Sequence, residues 1–282
     1  MRLRQPGPSC GFGAGGFSLI ELLVATTLGT IVTAGAFAAM ARARSSWAAA
    51  DIENRLHERA QYAFATLETE LQMAGYFAGS APVASGLVLP PSATACGAQV
   101  IARVDRAIEA SKAHYPFDCK AQGQGYQAGT DVLLLRRVST HTALAGTGRI
   151  QWLSCLTTDC ASMLVWPPEA LPLADAPSHS ERRDLIVRIF YVSRSADGDA
   201  GTPALRVKSL SAISGTPSFI DTEVMPGVDD LQITLEPESG AARSVQVTLG
   251  VRADAADQRA GEPLRRLSIT RQFALRNVAP AA

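Results

Sequence analysis

Gly16-Phe17-Ser18-Leu19-Ile20-Glu21, followed from Leu22 to Ala41 by LLVATTLGTIVTAGAFAAMA, is the stretch on which the reading of this chain turns. Phe17 to Ala41 is 25 residues with one charge, Glu21. At about 1.5 Å of rise per residue a helix of this length covers roughly 37 Å, enough to cross a ~30 Å hydrocarbon core with some tilt. Upstream, MRLRQPGPSCGFGAGG carries Arg2 and Arg4, two prolines and no acid. Its glycines and prolines forbid a stable helix, and it reads as a processed targeting extension. The small-residue site Gly15-Gly16 lies before the apolar run, whereas in a secretory signal the cut follows it. Cleavage after Gly16 therefore leaves the apolar helix on the mature chain. Losing Arg2 and Arg4 leaves 24 basic against 26 acidic residues.

The rest of the composition is that of a folded chain. Of 282 residues, 47% are hydrophobic and 18% charged, which excludes a disordered protein. Lys plus Arg and Asp plus Glu are 26 each, so there is no global attraction to nucleic acid and none is expected as a partner. The four His (His57, His114, His141, His179) are too scattered for a multi-His metal site, and no cofactor is expected.

A basic leader, Gly16 before the cut, an aromatic residue after it and Glu21 five residues into the mature chain together resemble the class III leader of type IV pilins and type II secretion pseudopilins. The resemblance implies cleavage after Gly16 and N-methylation of Phe17 by a prepilin peptidase, and a role for Glu21 in subunit docking. Glu21 also has a physical argument of its own. A carboxylate in an apolar span costs on the order of 3 kcal/mol and is normally partnered, and cleavage creates a positive amine at Phe17. In a helical bundle Glu21 of one subunit neutralises the amine of its neighbour and favours one axial register. The plain alternative is a carboxylate that snorkels at the membrane edge.

Of five Cys, cleavage removes Cys10 and leaves Cys96, Cys119, Cys155 and Cys160. An even set in an extracytoplasmic domain predicts two disulfides, in any of three connectivities. Nearest-neighbour pairing, Cys96 with Cys119 and Cys155 with Cys160, closes the shortest loops and is the expected one; a zinc site lacks any CxxC pair. Arg2 and Arg4 favour a cytoplasmic N-terminus and a periplasmic head, in a single pass of the inner membrane. Arg42 and Arg44, just past the span, weaken the charge bias.

Beyond the span, Ile52, Leu56, Ala60, Ala63, Leu67, Leu71 and Ala74 recur at steps of three and four, the stripe of an amphipathic helix. No Pro occurs between Phe17 and Phe77, and Gly75 is a natural stop. The spacing predicts one helix over 17–75, roughly 87 Å long, with its membrane part at 17–41. A leader at 1–16 precedes it and a globular head over 76–282 follows. Pilins often carry a proline in the apolar half; here there are only Gly29 and Gly35, so local melting is less assured. Ala78–Ala95 reads as loop. Strands are predicted at Asp131–Val138, Arg149–Leu153, Met163–Trp166, Asp184–Val192 and Ala204–Leu210, with Gly198 and Gly201 in the turn between the last two. Pro167–Arg183 reads as a polar connection. Val245, Val247, Leu249 and Val251 alternate with polar residues, as do Leu231, Ile233 and Leu235, with Glu238-Ser239-Gly240 as the turn between them. Leu267, Ile269, Phe273 and Leu275 share one face of a final strand. Short links favour antiparallel pairing. The expected fold is α+β: a long N-terminal helix packed on a mostly antiparallel sheet.

Pro226-Gly227-Val228-Asp229-Asp230-Leu231-Gln232, then Arg243–Arg252, then Leu264-Arg265-Arg266 leading to Phe273-Ala274-Leu275-Arg276-Asn277, is similar to the PilW family of minor pilins. With the N-terminus, the likeness covers most of the chain, weakly over 78–127. It implies a structural subunit, not an enzyme. Its partners would be other minor pilins, the major pilin and a tip adhesin, and its place the inner membrane and then the pilus tip, where it primes growth. The alternative is a GspJ-like pseudopilin of type II secretion. A membrane-anchored enzyme or binding module would need a convergent polar constellation, and none is legible. Gly11-Phe12-Gly13-Ala14-Gly15-Gly16 fits GxGxxG without the strand a dinucleotide site needs. Asp197-Gly198-Asp199 lacks the EF-hand pattern and reads as a solvated turn. Asp229-Asp230 reads as shaping the entry to the next strand.

Overall fold

The computed structural model describes residues 16–79, 89–144, 148–155, 157, 160–166, 179–237, 242–257 and 263–278. The expected leader before Gly16, with Cys10, residues 80–88 of the expected loop, 167–178 of the expected connection and the turn Glu238-Ser239-Gly240 lie outside the described residues. The chain divides into two units, Met1–Asp51 and Ile52–Ala282. In the first, every described residue but Ala49 is exposed, and the helix α1 (Leu19–Met73) begins there.

In the second unit the remainder of α1 buries Leu56, Ala60, Ala63, Phe64, Leu67 and Leu71, the predicted stripe joined by Phe64. Each fully buried large apolar side chain contributes about 1.5–3 kcal/mol. Gly75 follows the helix at φ +80°, where an added Cβ would stand 2.6 Å from the Asn277 carbonyl oxygen. Only glycine fits both constraints, and the chain turns away at this point.

Among the described residues ten strands follow: β1 (Ile108–Ser111), β2 (Val132–Val138), β3 (Gln151–Cys155), β4 (Met163–Val165), β5 (His179–Ser193), β6 (Ala204–Ile213), β7 (Thr216–Pro226), β8 (Val228–Glu236), β9 (Ser244–Arg252) and β10 (Arg266–Ala274). The fold is α+β, and every strand pair is antiparallel. The strands form two sheets where the sequence reading has one. Seven make a large sheet ordered β1-β2-β5-β3-β4, with β6 on β5 and β7 on β6, and three make a small sheet ordered β10-β9-β8. At 15 residues β5 is long enough to be shared, pairing β3 through its first half and β6 through its last six residues.

The near-continuous apolar runs of β2 and β5 are explained by burial on both faces. Leu133, Leu135, Phe190 and Val192 meet the helix and the small sheet. Val132, Leu134, Val187 and Ile189 meet a layer built from Phe77, Ala93, Cys96, Val100, Ile101 and Val104, which includes the short helix α2 (Gln99–Ala102). The small sheet is covered on one face only. Val245, Val247, Leu249 and Val251 are fully buried there while Gln246 faces solvent, hence its clean alternation. Asp131 joins the two sheets. It is 1% exposed; its amide donates to the Leu231 carbonyl (2.7 Å) and its carboxylate accepts from the Ile233 and Ala113 amides (2.7 and 3.0 Å) and from Lys112 Nζ (3.0 Å).

Three elements escape the sequence reading. β1 and α2 have four residues each, too few to show a period. β7, a segment to which the sequence reading assigns no element, carries Pro at 217 and 226 and two acids, which disfavour a strand; it is an edge strand where such residues are tolerated. The expected polar connection ends early, because His179–Arg183 is the start of β5. Arg182 and Arg183 are buried there with partners: Gln151 Oε1 takes one (3.0 Å), and Glu181 with the Ser139 carbonyl takes the other (2.9 and 3.1 Å).

Cys96 pairs with Cys119 (Cα–Cα 4.3 Å) and Cys155 with Cys160 (Cα–Cα 5.9 Å). The first closes 23 residues over the outer layer of the large sheet. Loop-closure entropy assigns such a link on the order of 3 kcal/mol. Replacing Cys96 and Cys119 together by Ser is expected to lower the melting midpoint of the full chain in detergent by roughly 6–12 °C; an unchanged midpoint would refute the assignment.

Candidate functional site

The helix starts for a local reason. The Ser18 hydroxyl accepts a hydrogen bond from the Glu21 backbone amide (3.2 Å), and the Ser18 carbonyl accepts from the amides of Glu21 and Leu22 (3.1 Å each). Ser18 is thus the N-cap, with an acid in the first turn where the helix dipole favours it. The Ser-x-x-Glu spacing of a capping box was legible at 18–21 and went unused in the sequence reading. Gly16 and Phe17 precede this cap as exposed, non-helical residues, Phe17 with 83% of its surface free. Glu21 stands one turn in.

From Leu19 onward the helix shows apolar surface all round. Leu19, Ile20, Leu22, Leu23, Val24, Leu28, Ile31, Val32, Phe37 and Met40 are each more than half exposed. α1 is long and apolar enough to cross a membrane, and none of its most apolar window is buried. The threonine hydroxyls inside it are satisfied internally. Thr26, Thr27, Thr30 and Thr33 each donate to the carbonyl three or four residues earlier, at 2.7–3.1 Å. This removes the penalty a bare hydroxyl would bring into hydrocarbon.

Several charges of the head are held in internal pairs. Glu70 on α1 accepts from Arg137 of β2 (2.9 Å) and stands 3.5 Å from Arg188 of β5. Arg59 grips Asp254 with one nitrogen on both oxygens (2.7 and 2.8 Å). Asp197, from the turn read as solvated, pairs with Arg206 at 2.7 Å. Asp199 accepts from Thr202 and the Gly201 amide, which holds its carboxyl below the usual range. Asp229 is buried at the entry to β8 and lies 2.6 Å from Arg266, with burial pushing its carboxyl up.

Asp221 on β7 gathers three side-chain donors. It accepts from Arg206 (2.8 Å), Lys208 (2.6 Å) and the Tyr191 hydroxyl (2.7 Å). Burial alone would raise its carboxyl, but these donors outweigh it and hold it below the usual carboxylate range. A depressed folded-state pKa gives stability that is fully present above the unfolded value, about 3.9, and is lost as pH falls through the lower folded value. Asp221→Asn is therefore expected to flatten the acid limb of the melting curve below about pH 4 while lowering the midpoint at pH 7. An acid limb identical to the parent's would show the cluster inert.

Residues 12–37 match the family model of the prokaryotic N-terminal methylation motif. No curated protein and no solved structure matches this chain. The matched stretch takes in the cap, Glu21 and much of the bare apolar helix. It supports a type IV pilin-like or pseudopilin protein with a structural role, processed by a prepilin peptidase and assembling with other pilins. The bare apolar helix fits a chain anchored in the inner membrane.

Proposed function

We propose that this chain is a minor pilin of the PilW kind, which primes type IV pilus growth together with other minor pilins and a tip adhesin. The prepilin peptidase cuts after Gly16 and methylates the new N-terminus at Phe17. The subunit waits in the inner membrane with its N-terminus cytoplasmic and its head periplasmic, then moves its apolar stem from lipid into the growing bundle and stays near the tip. Lipid tails are as apolar as the stem, so the gain on entry comes from van der Waals packing and from the pairing of Glu21 with a neighbour's Phe17 amine. The observation that carries this reading is the methylation motif at the start of a helix whose apolar surface is exposed.

Mass spectrometry of the native chain tests the processing: the expected mature start is a methylated Phe17, and an intact Met1 would refute it. Deletion of the protein, scored for surface pili and for secreted exoproteins, tests the role. Lost pili with normal secretion is expected. Lost secretion with normal pili would assign the chain to the GspJ-like pseudopilins instead.

A further inference from the structure

A β-sheet edge is an open row of backbone donors and acceptors, and folded proteins blunt such edges. Among the described residues, all but one of the sheet edges here are blunted. β1 and β4 are only four and three residues long. β7 carries Pro217 and Pro226, two acids and an irregular register. The outer side of β8 is occupied by Asp131, whose amide and carboxylate bond to Leu231 and Ile233. β10 is different: nine residues without a proline, paired in unbroken register to β9.

The direction of its free groups follows from two hydrogen bonds. The Leu275 amide donates to Arg243 and the Ala253 amide to Arg265, so odd-numbered residues of β10 bond to β9. In an antiparallel ladder the alternate residues then point away, which sends the N–H and C=O groups of Ser268, Thr270 and Gln272 off the edge. The Thr248–Thr270 hydroxyl contact at 2.8 Å agrees, since side chains lie closest in non-hydrogen-bonded pairs. All three residues are exposed. On the inner face Leu267 and Ile269 are only half buried, and Arg271 stands over the Phe64 ring, 4.7 Å from its centre.

We infer that β10 is a strand-addition site for an extended acidic segment of another subunit. Resting on the assembly role proposed above, the added strand carries apolar side chains over Leu267 and Ile269 and a carboxylate opposite Arg271. Charge complementarity selects this occupant: Arg271 lies on the inner face of the strand, and 263–278 holds no acid against four arginines, of which Arg266 is already paired with Asp229. A second copy would bring the same arginines against them, so Arg271 on the inner face also acts against self-pairing.

The test uses the full chain in detergent and a nine-residue peptide alternating valine and threonine with glutamate at its centre. A second peptide carries lysine there. Amide exchange resolved by residue is expected to slow at least tenfold at Ser268, Thr270 and Gln272 with the glutamate peptide, and not with the lysine one. No protection, or equal protection by both peptides, overturns the proposal. So does protection of the chain alone that rises with its concentration, which would make a second copy the occupant. In cells, Thr270→Pro removes an outward N–H without breaking a β9 bond. The expected result is a chain trimmed at Gly16 that fails to enter fibres. Normal entry overturns the edge site and leaves the proposed function standing, whereas a wild-type chain untrimmed at Gly16 overturns the function and the edge site with it.

Discussion

Glu21→Ala is expected to yield a chain that inserts and is trimmed after Gly16 as well as the parent, yet is depleted in fibres by about thirtyfold or more. Insertion is not harmed, because the substitution removes a charge whose place in an apolar span costs on the order of 3 kcal/mol. The helix start is not harmed either, since the Ser18 cap holds the backbone amide of residue 21 rather than its side chain. What is lost, on the pairing proposed above, is the partner of the Phe17 amine in a low-dielectric bundle. Truncating one member of a buried charge pair costs about 2–5 kcal/mol, and the lower figure is already close to thirtyfold. The mass of the membrane-bound chain and its amount in sheared fibres are the two measurements. Glu21→Gln separates charge from shape and is expected to fail like Ala. Fibre content equal to the parent's would remove the pairing from the account.

Arg136→Met is expected to lower the stability of the head by about 3–5 kcal/mol, the usual cost of breaking a buried ion pair, or roughly 10 °C in melting midpoint. Arg136 is 1% exposed. Its guanidinium donates to the carbonyls of Val100 (2.6 Å), Arg106 (2.5 Å) and Gln99 (3.2 Å), and pairs with Glu109 at 2.7 Å. Burial draws its pKa below the ordinary arginine value, with Glu109 opposing that fall. Met fills much of the space but leaves several carbonyls and a carboxylate without their donor. Arg136→Lys is expected to rescue little, because one ammonium cannot reproduce a planar fork spread over carbonyls on several sides. A loss below about 1 kcal/mol would mean that water replaces the guanidinium at this site.

Much of the fold was legible because its elements are periodic. The stripe from Leu56 to Leu71 and the alternation from Val245 to Val251 each report one buried face, and a single buried face leaves a period in the sequence. β2 and β5 were legible as apolar runs. The elements missed are those whose residues are chosen by partners rather than by period. His179–Arg183 is polar because Arg182 and Arg183 find acceptors on β3 and in the segment before it. β7 is polar because Asp221 and Glu223 meet Arg206 across the hairpin. The Ser18 cap belongs with the legible features, since Ser-x-x-Glu is a local pattern.

The sequence by itself determined the bare N-terminal helix, the motif at its start, the amphipathic continuation and most of the strands. These are local properties, settled by composition and spacing within a few turns of chain. Only the tertiary structure decided that the strands divide into two sheets, that Asp131 ties them together, that Arg136 and Asp221 are hubs of buried polar contacts, and that β10 ends the small sheet. Each of these depends on residues 13 to 102 positions apart, whose meeting is selected by the joint satisfaction of buried polar groups and is written in no local pattern.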